Sequence, residues 1–211
     1  MVQGITSIIV PVYNIDDEVK SHFYECIRRI KLYSNNYQLI VIQNGGPRLD
    51  CEADIFIYKD KPIGFAKALN IGLSLADGEF ISLVSADIYL PENWMTMLDD
   101  VDGVLCPQDK ESEHIVWDDS AWGAMWITTK DNFRKVGYHD EMLNQRYSDQ
   151  DWWIRFKKAG LKIQRTGKVI VKHFEGSTVN KMPEVSLWKS EEEFIKQKHG
   201  YSLFSDYKRS L

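Results

Sequence analysis

Short apolar runs alternate with helical patterns through the first half of the chain. Continuous apolar runs predict buried strands, and apolar residues that recur every three or four positions predict helices. The predicted strands are Ile5–Val10, Gln38–Ile42, Asp54–Tyr58 and Phe80–Val84, and the predicted helices are Asp16–Tyr33 and Phe65–Ala76. Pro11 is expected to end the first strand. This alternation predicts an α/β fold in which a parallel sheet is covered on both faces.

The pattern changes after Pro107, where strands and helices no longer alternate so regularly. The strands predicted there are Trp122–Thr129 and Lys162–Val171, and the helices are Lys130–Val136 and Asp151–Ala159. No repeat and no low-complexity linker separates the two halves. With 211 residues, the chain is therefore expected to form a single domain.

Composition and charge narrow the class of protein. Hydrophobic residues make up 44% and charged residues 27%, which is ordinary for a soluble globular protein. A net charge of −5 argues against a nucleic-acid partner. The three cysteines form no Cys-x-x-Cys pair, which favours reduced thiols in a cytoplasmic protein.

The sequence shows no secretory signal and no apolar run that approaches the length of a membrane span. A cytoplasmic location is therefore expected. The segment Lys196–Leu211 combines basic and aromatic residues, so a peripheral contact with a membrane surface is an alternative to a solvated terminal helix.

Ligands of open parallel sheets bind at the carboxyl ends of the strands. That rule draws attention to three segments that follow predicted strands, Pro11–Asn14, Gln43–Gly46 and Ser85–Asp87. The Asp87 carboxylate is a candidate ligand for Mg²⁺ or Mn²⁺, which prefer oxygen donors and share their shell with substrate phosphates. Alternatively, Asp87 begins a turn or caps a helix after Pro91.

The segment Gly64–Gly72 combines a glycine before a predicted helix with small residues inside the helix. The small residues predict close packing against a neighbour, and Asn70 is the polar exception. Either a ligand or the sheet could be that neighbour.

Two carboxylates and one histidine complete the candidate chemistry. Asp149 and Asp151 stand at the start of a predicted helix, where the helix dipole favours negative charge. One of them is expected to be the N-cap, and the other is a candidate general base. His173 ends an apolar strand before a Gly-Ser-Thr loop and could bind a metal, a phosphate or the backbone.

In this order, the segments resemble the inverting family-two glycosyltransferases of GT-A fold over roughly residues 5–178. The matching segments are Ile9–Asn14 (IVPVYN), Gly64–Gly72 (GFAKALNIG), Ser85–Asp87, Ser148–Asp151 with Arg155 and Gly160, and His173 with Gly176–Thr178. The most specific match is the Gly-rich segment.

The resemblance implies a GT-A (Rossmann-like) three-layer α/β fold with a central, mostly parallel sheet and a smaller acceptor-side sheet. Residues 1–107 would then bind the nucleotide sugar, 108–180 would hold the acceptor and the catalytic base, and 181–211 would be a helical extension. It also implies a nucleotide-diphosphate sugar donor and a saccharide or other hydroxyl acceptor. The oligomeric state is left open.

The resemblance assigns site residues as well. Asp149 would be the catalytic base, and Asp87 with His173 would hold Mn²⁺ or Mg²⁺. The implied donor-binding residues are Pro11, Tyr13, Asn14, Gln43, Asn44, Gly64, Phe65, Lys67, Asn70, Ser85, Ala86 and Asp87. The aromatic side chains considered for the acceptor side, each with core packing as the alternative, are Trp122, Trp126, Trp152 and Trp153.

The sequence departs from the family pattern at three positions. Gln43-Asn44 replaces an Asp that accepts from uracil, Ser85 replaces the first Asp of Asp-x-Asp, and Ser148 replaces a Glu. An amide oxygen can accept the same bond from a base, so uridine stays among the possible donors.

These departures keep a non-catalytic sugar-nucleotide or carbohydrate-binding protein open as an alternative. A sugar nucleotidyltransferase is less favoured because Pro11–Asn14 is not a Gly-rich phosphate loop. A processive synthase is disfavoured because the chain has no Gln-x-x-Arg-Trp segment and no membrane span.

Overall fold

The computed structural model describes residues 1–109, 123–143, 147–174 and 187–201. The helices are α1 (Asp17–Tyr33), α2 (Phe65–Leu75), α3 (Lys130–Val136), α4 (Ser148–Lys158) and α5 (Leu187–His199), with a 3₁₀ helix at Trp94–Asp100. The strands are β1 (Val2–Val12), β2 (Tyr37–Asn44), β3 (Ile55–Lys59), β4 (Gly78–Val84), β5 (Ile88–Tyr89), β6 (Val104–Asp109), β7 (Met125–Thr129) and β8 (Ile163–His173).

These strands form one eight-stranded sheet in the order β3-β2-β1-β4-β7-β6-β8-β5. The first four strands in this order are mutually parallel, as the alternation of strands and helices predicted. β7 runs antiparallel to β4 and β6, and the short β5 pairs antiparallel with β8 at the far edge. The mostly parallel half and the mixed half therefore share one continuous sheet.

The sheet is buried on both faces because its strands alternate apolar side chains between two clusters. Ile8 and Val10 of β1 point into a cluster with α1 and the 3₁₀ helix, whereas Ile9 points into a cluster with α2, α3 and α4. Continuous apolar strands of this kind require cover on each side, which gives the predicted three layers.

Local sequence explains several helix ends. The Asp16 side chain caps α1 by accepting a hydrogen bond from Val19 N at 2.9 Å, as Asp commonly does at this position. Thr129 caps α3 in the same way, and Gly137 follows α3 with a φ of 79°. The predicted bounds of α3 are confirmed.

Pro11 does not end β1, contrary to the sequence prediction. The strand continues to Val12, and Pro11 pairs with Ile42 of β2. The pairing of β1 with β4 ends at Ile9, so Pro11 lies where β1 has one neighbouring strand. A missing backbone N–H can be tolerated at such an edge position.

Three of the tryptophans considered for the acceptor side are core residues. Trp126, Trp152 and Trp153 are at most 1% exposed, and the ring centroids of Trp126 and Trp152 lie 4.6 Å apart. Core packing is therefore correct for these three. Trp122 lies outside the described residues.

Within the described ranges, no helix has both the length and the apolar character that crossing a membrane requires.

Candidate active site

The carboxyl ends of β1, β2 and β4 meet at one edge of the sheet. Val12 is in register with Gln43, and β4 ends beside them at Val84. The structure thus brings the segments after these three strands to the same edge, as the parallel arrangement requires.

Gln43 organises the loop after β2. Its side chain is fully buried, and Nε2 donates to the carbonyls of Gly45 and Pro47 at 3.1 and 2.7 Å. Its Oε1 accepts from Leu49 N at 2.8 Å. The amide is thus engaged within its own loop, and this geometry does not support the predicted contact of Gln43 with a nucleobase.

Two asparagines fasten the neighbouring loops. Asn14 Nδ2 donates to the Pro47 carbonyl at 2.7 Å, which ties the loop after β1 to the loop after β2. Asn44 Oδ1 accepts from Ile63 N at 2.7 Å, which ties β2 to the segment before α2. Both side chains are buried, so they shape the edge of the site.

Tyr13 and Pro62 lie against Gly45 in the loop after β2. A Cβ added to Gly45 would lie 2.8 Å from Tyr13 Cε2 and 3.0 Å from Pro62 Cγ, and Gly45 has a φ of 104°. Only glycine fits both the conformation and the space. The half-buried Tyr13 ring therefore packs directly against the backbone of Gly45, just after the end of β2.

α2 begins at this edge without a side-chain cap. Its N-cap is Gly64, with a φ of 93°, and no side chain caps the first turn. Backbone N–H groups at a helix start attract anions, and the exposed Lys67 adds positive charge within the first turn. Phe65 is half-buried beside them.

Asn70 holds protein structure, in contrast to its predicted place among the donor-binding residues. It is buried, donates to the His139 carbonyl and accepts from His139 N, both at 2.9 Å. It also donates to Glu141 Oε1 at 3.1 Å. These bonds fasten α2 to the loop between α3 and α4, beside a groove of about 440 Å³ that Lys67 and Tyr138 also line.

Asp87 and His173 are brought together by the pairing of β5 with β8. Ile88 is in register with His173, and Phe174 N donates to the Asp87 carbonyl at 3.1 Å. The His173 Nε2 and Asp87 Oδ1 atoms are then 3.4 Å apart, and both side chains are mostly buried.

Asp87 also lies in a turn, closed by the bond from Ile88 N to the Ser85 carbonyl at 3.0 Å. The predicted turn is therefore present, but Asp87 caps no helix, because Asn93 is the N-cap of the 3₁₀ helix. Nearby, the Cys26 thiol donates to the same carbonyl at 3.6 Å, and burial, with a smaller contribution from Asp87, raises its pKa.

The donor set at Asp87 suits a divalent ion whose remaining ligands come from a bound phosphate. A carboxylate oxygen and an imidazole nitrogen are acceptable to Mn²⁺, and Mg²⁺ commonly takes one or two carboxylates plus phosphates. Among the described residues, no group of three or more His, Cys, Asp or Glu side chains forms a metal cage. Ser85 and Ala86 precede Asp87 and are half-buried.

Asp149 is the second residue of α4 and caps no helix. The N-cap position belongs to Tyr147, so the prediction that Asp149 or Asp151 fills it is wrong. Asp149 Oδ1 accepts from Gln150 N at 2.8 Å. Its Oδ2 lies against Gly123, where an added Cβ would be 2.4 Å away.

Gly123 connects Asp149 to the Ser85–Asp87 segment. The next residue, Ala124, accepts a hydrogen bond at its carbonyl from Ser85 N at 2.9 Å. The two residues just before β7 therefore contact the Asp149 carboxylate on one side and the Ser85 backbone on the other. Asp149 is therefore linked through Gly123 and Ala124 to the backbone of Ser85, which lies two residues before Asp87.

Asp151 is fully buried and paired. Its Oδ2 accepts from Arg155 Nε at 2.8 Å, and its Oδ1 lies 2.7 Å from both Lys198 Nζ and His199 Nε2. Burial alone would raise the pKa of this carboxyl, but the hydrogen bonds from Lys198 and His199 and the charge of Arg155 lower it.

Sequence reasoning missed an aromatic cluster next to Asp87 and His173. His22 stacks on Phe174 with ring centroids 4.2 Å apart, and Tyr89 packs on Phe174 at 4.6 Å. His22 Nδ1 lies 3.1 Å from Tyr89 Oη. His22 stands on α1, far from the other two in sequence, so no local pattern signalled this contact.

Residues 7–101 match the family model described as Glycosyl transferase family 2. This segment belongs to glycosyl transferase family 2. The match spans β1 to the 3₁₀ helix and includes the candidate donor-binding segments and Asp87, whereas Asp149 and His173 lie beyond it.

A curated relative of this family 2 segment is glycosyltransferase GlyG of Streptococcus pneumoniae serotype 4. The two sequences are 30% identical over 105 residues, which is 44% of this chain and 34% of GlyG. The chain therefore spans about a third of the length of that relative.

Solved glycosyltransferase structures share the fold over about nine tenths of the chain. S. aureus TarS with UDP-GlcNAc has a TM-score of 0.66 at 13% identity, covering 90% of this chain and 65% of that one. GalNAc-T7 with UDP, GalNAc and Mn²⁺ has a TM-score of 0.69 at 11% identity, covering 91% and 48%. The fold is therefore GT-A, as the motifs implied.

Proposed function

We propose that the protein is a glycosyltransferase that moves a sugar from a nucleotide-diphosphate donor to a hydroxyl of a saccharide or other acceptor, with inversion and with Asp149 as general base. One observation carries the proposal. The Asp149 carboxylate lies against Gly123, and the carbonyl of the adjacent Ala124 accepts a hydrogen bond from Ser85 N, which supports a role for Asp149 next to the Ser85–Asp87 segment.

The binding site of the sugar-nucleotide donor is assigned to the carboxyl ends of the strands within residues 1–107. Tyr13 beside Gly45 offers an aromatic face for a nucleobase, and the start of α2 with Lys67 offers N–H groups and positive charge for the diphosphate. Gln43, Asn14 and Asn44 keep the loops around this space in place. The base of the donor is left open, because Gln43 faces its own loop.

Asp87 and His173 are assigned to hold Mn²⁺ or Mg²⁺. When bound, such an ion would neutralise charge on the diphosphate and make it a better leaving group. The β5–β8 pairing keeps the two side chains together before any ion arrives, so little reorganisation is needed. GalNAc-T7, which shares the fold, was solved with Mn²⁺ and UDP.

Asp149 is assigned to accept the proton of the acceptor hydroxyl. That hydroxyl would attack the anomeric carbon on the face opposite to the leaving diphosphate, which inverts the configuration. The position of Asp149 in the first turn of α4 and its bond from Gln150 N hold the carboxylate in one orientation. Residues 108–180 would then supply the base and the acceptor side.

The test replaces Asp149 by Asn and measures transfer and hydrolysis with a panel of sugar nucleotides, with and without Mn²⁺. We expect turnover to fall at least about a hundredfold, which is the lower end of the usual contribution of a positioned base. Donor binding, measured by calorimetry, should change little because Asn has nearly the same shape.

Asp131→Asn is the matched control. Asp131 also lies in the first turn of a helix, but its side chain is 68% exposed and pairs with Arg134. This variant should retain wild-type turnover. Undiminished turnover in Asp149→Asn would refute the assigned role, and donor binding by the wild-type protein without any turnover would favour a non-catalytic sugar-nucleotide-binding protein.

A further inference from the structure

The C-terminal end of α5 contacts the carboxylate that lies two residues after Asp149. Lys198 Nζ and His199 Nε2 are both 2.7 Å from Asp151 Oδ1, although 47 and 48 residues separate them from Asp151 in sequence. The Asp151 side chain has no exposed surface, and that of His199 is 4% exposed. α5 thus supplies two of the donors to a buried carboxylate in the first turn of α4.

The contact between Lys158 and His199 determines which ring nitrogen of His199 carries the proton. Lys158 Nζ lies 2.9 Å from His199 Nδ1, and a lysine ammonium can only donate. Nδ1 therefore accepts, and the proton of the neutral ring lies on Nε2, which donates to Asp151. The carboxylate accordingly receives one charged and one neutral hydrogen bond from α5.

Additional contacts fix the same end of α5. Lys198 also bonds Asp140 Oδ2 at 2.7 Å, which joins α5 to the loop before α4. Ile195 is fully buried in an apolar cluster with Leu143, Tyr147 and Ile154. These contacts surround the start of α4 with residues that lie outside the family 2 segment.

The first turn of α4 depends on such support because its N-cap residue, Tyr147, makes no side-chain capping bond. The first four N–H groups of a helix lack intrahelical partners, and a capping side chain usually restrains them. Here Asp151 N bonds the Tyr147 carbonyl at 3.0 Å, and the Asp151 side chain is anchored to α5. The anchor acts on the turn that carries Asp149.

We infer that Lys198 and His199 are positioning residues that hold Asp151 and thereby fix the first turn of α4 and the carboxylate of Asp149. The effect on turnover rests on the proposed function, because it requires Asp149 to be the general base. The stabilisation of the first turn of α4 by α5 does not depend on that function. A displacement of about 1 Å at a reacting group can lower turnover about a hundredfold.

The experiment compares the double variant Lys198→Met/His199→Leu with the wild-type chain. We expect kcat to fall between about ten- and a hundredfold while KM for the donor stays within about twofold, because the donor site is elsewhere. Amide hydrogen exchange of peptides within residues 147–156 should become faster, since the first turn opens more often. The His199→Gln single variant keeps a donor at the Nε2 position and should retain most of both properties.

Lys196→Met is the matched control on the same helix. Lys196 pairs with Glu192 within α5 and reaches no residue of α4 among the described contacts, so kcat and exchange should stay at wild-type values. Should the double variant fail to fold, Lys198→Met alone is compared with Lys196→Met.

The outcomes separate the two proposals. Unchanged hydrogen exchange at residues 147–156 in the double variant overturns the inference, as does an equal effect of Lys196→Met. If the wild-type chain turns over no sugar nucleotide, the proposed function fails, and hydrogen exchange alone decides whether α5 holds α4.

Discussion

At the residue scale, His139 shows how a polar side chain is used inside the core. The ring is 3% exposed and stacks on Trp152 with centroids 4.6 Å apart. Its Nδ1 lies 3.1 Å from the Ser148 carbonyl, which can only accept, so Nδ1 carries the proton. Burial, followed by the charge of Arg155, lowers the pKa of His139 from 6.5 to about 3.

This shift predicts a specific pH dependence of stability. Between pH 6.5 and about 3, the unfolded chain binds a proton at His139 that the folded protein excludes. The free energy of unfolding therefore decreases as the pH falls through this window, by up to about 1.4 kcal/mol per pH unit from this group. Above pH 6.5, the ring is neutral in both states and contributes no slope.

His139→Asn tests this dependence, since the Asn amide can still donate to Ser148. We expect the variant to be less stable at pH 7 but to lose less stability than wild type between pH 6 and pH 4. Urea unfolding at several pH values measures how the free energy of unfolding changes with pH in each protein. All other titrating groups are common to the two proteins, so the difference between the two slopes comes from His139. Parallel curves for the two proteins would contradict the role of His139.

At the element scale, close contact between α2 and β1 defines the middle of the fold. A Cβ added to Gly72 would lie 2.4 Å from Ile9 Cγ2 and 3.4 Å from its Cδ1. Both residues are fully or nearly fully buried. The small residues of the Gly64–Gly72 segment predicted such packing, and the structure confirms it at Gly72.

Gly72→Ala should therefore destabilise the protein by about 1–3 kcal/mol, the usual cost of overpacking a core. Urea unfolding measures the loss. Gly167→Ala is the control, because a Cβ there would meet only Gln108 Oε1 at 3.4 Å, an ordinary contact distance. If Gly72→Ala were as stable as this control, α2 would be able to move away from β1 at no cost.

The elements were predictable where the chain supplies local signals. α1 starts at an Asp cap, α3 runs from a Thr cap to Gly137, and the parallel strands follow from continuous apolar runs. The start of α4 was not predictable, because neither nearby Asp caps it. The partners of Asp151 on α5 are distant in sequence and appear only in the folded chain.

The sequence predicted which residues belong to the candidate site better than it predicted what those residues contact. The side chains of Asp87 and His173 were chosen separately from strand ends and the family resemblance, and the fold places them 3.4 Å apart. Gln43 and Asn70 were chosen as ligand contacts, but their hydrogen bonds are to the protein itself. A polar residue in a motif does not reveal whether its partner is a substrate or a loop.

At the scale of the whole molecule, one sheet joins the two halves of the proposed site. β4 of the family 2 segment pairs with β7, and Ala124, the residue just before β7, accepts a hydrogen bond from Ser85. β8 lies further along the sheet, next to β6. It also pairs with β5, and this pairing brings His173 next to Asp87. Donor, ion and base are therefore assigned to a single folded unit, in which ligand binding should stabilise the entire chain.

That coupling predicts an increase in Tm that depends on both the nucleoside diphosphate and the metal ion. A nucleoside diphosphate with Mn²⁺ at 100 times the dissociation constant adds about 2.7 kcal/mol of stability. For a chain of this size, each kcal/mol raises Tm by about 2–4 °C, so we expect an increase of about 5–10 °C. Diphosphates of all the common bases are compared, because the Gln43 amide is hydrogen-bonded within its own loop and indicates no particular base.

The part of the shift that requires Mn²⁺ should disappear in Asp87→Asn, since an amide oxygen is a weaker ligand than a carboxylate for a hard cation. Asp102→Asn provides the control, because Asp102 is an exposed carboxylate paired with Lys162. Scanning fluorimetry with diphosphate alone, Mn²⁺ alone and both together measures the three contributions. An unchanged Mn²⁺-dependent shift in Asp87→Asn would place the ion elsewhere and remove Asp87 from the proposed site, whereas its selective loss would tie the ion to the end of β4.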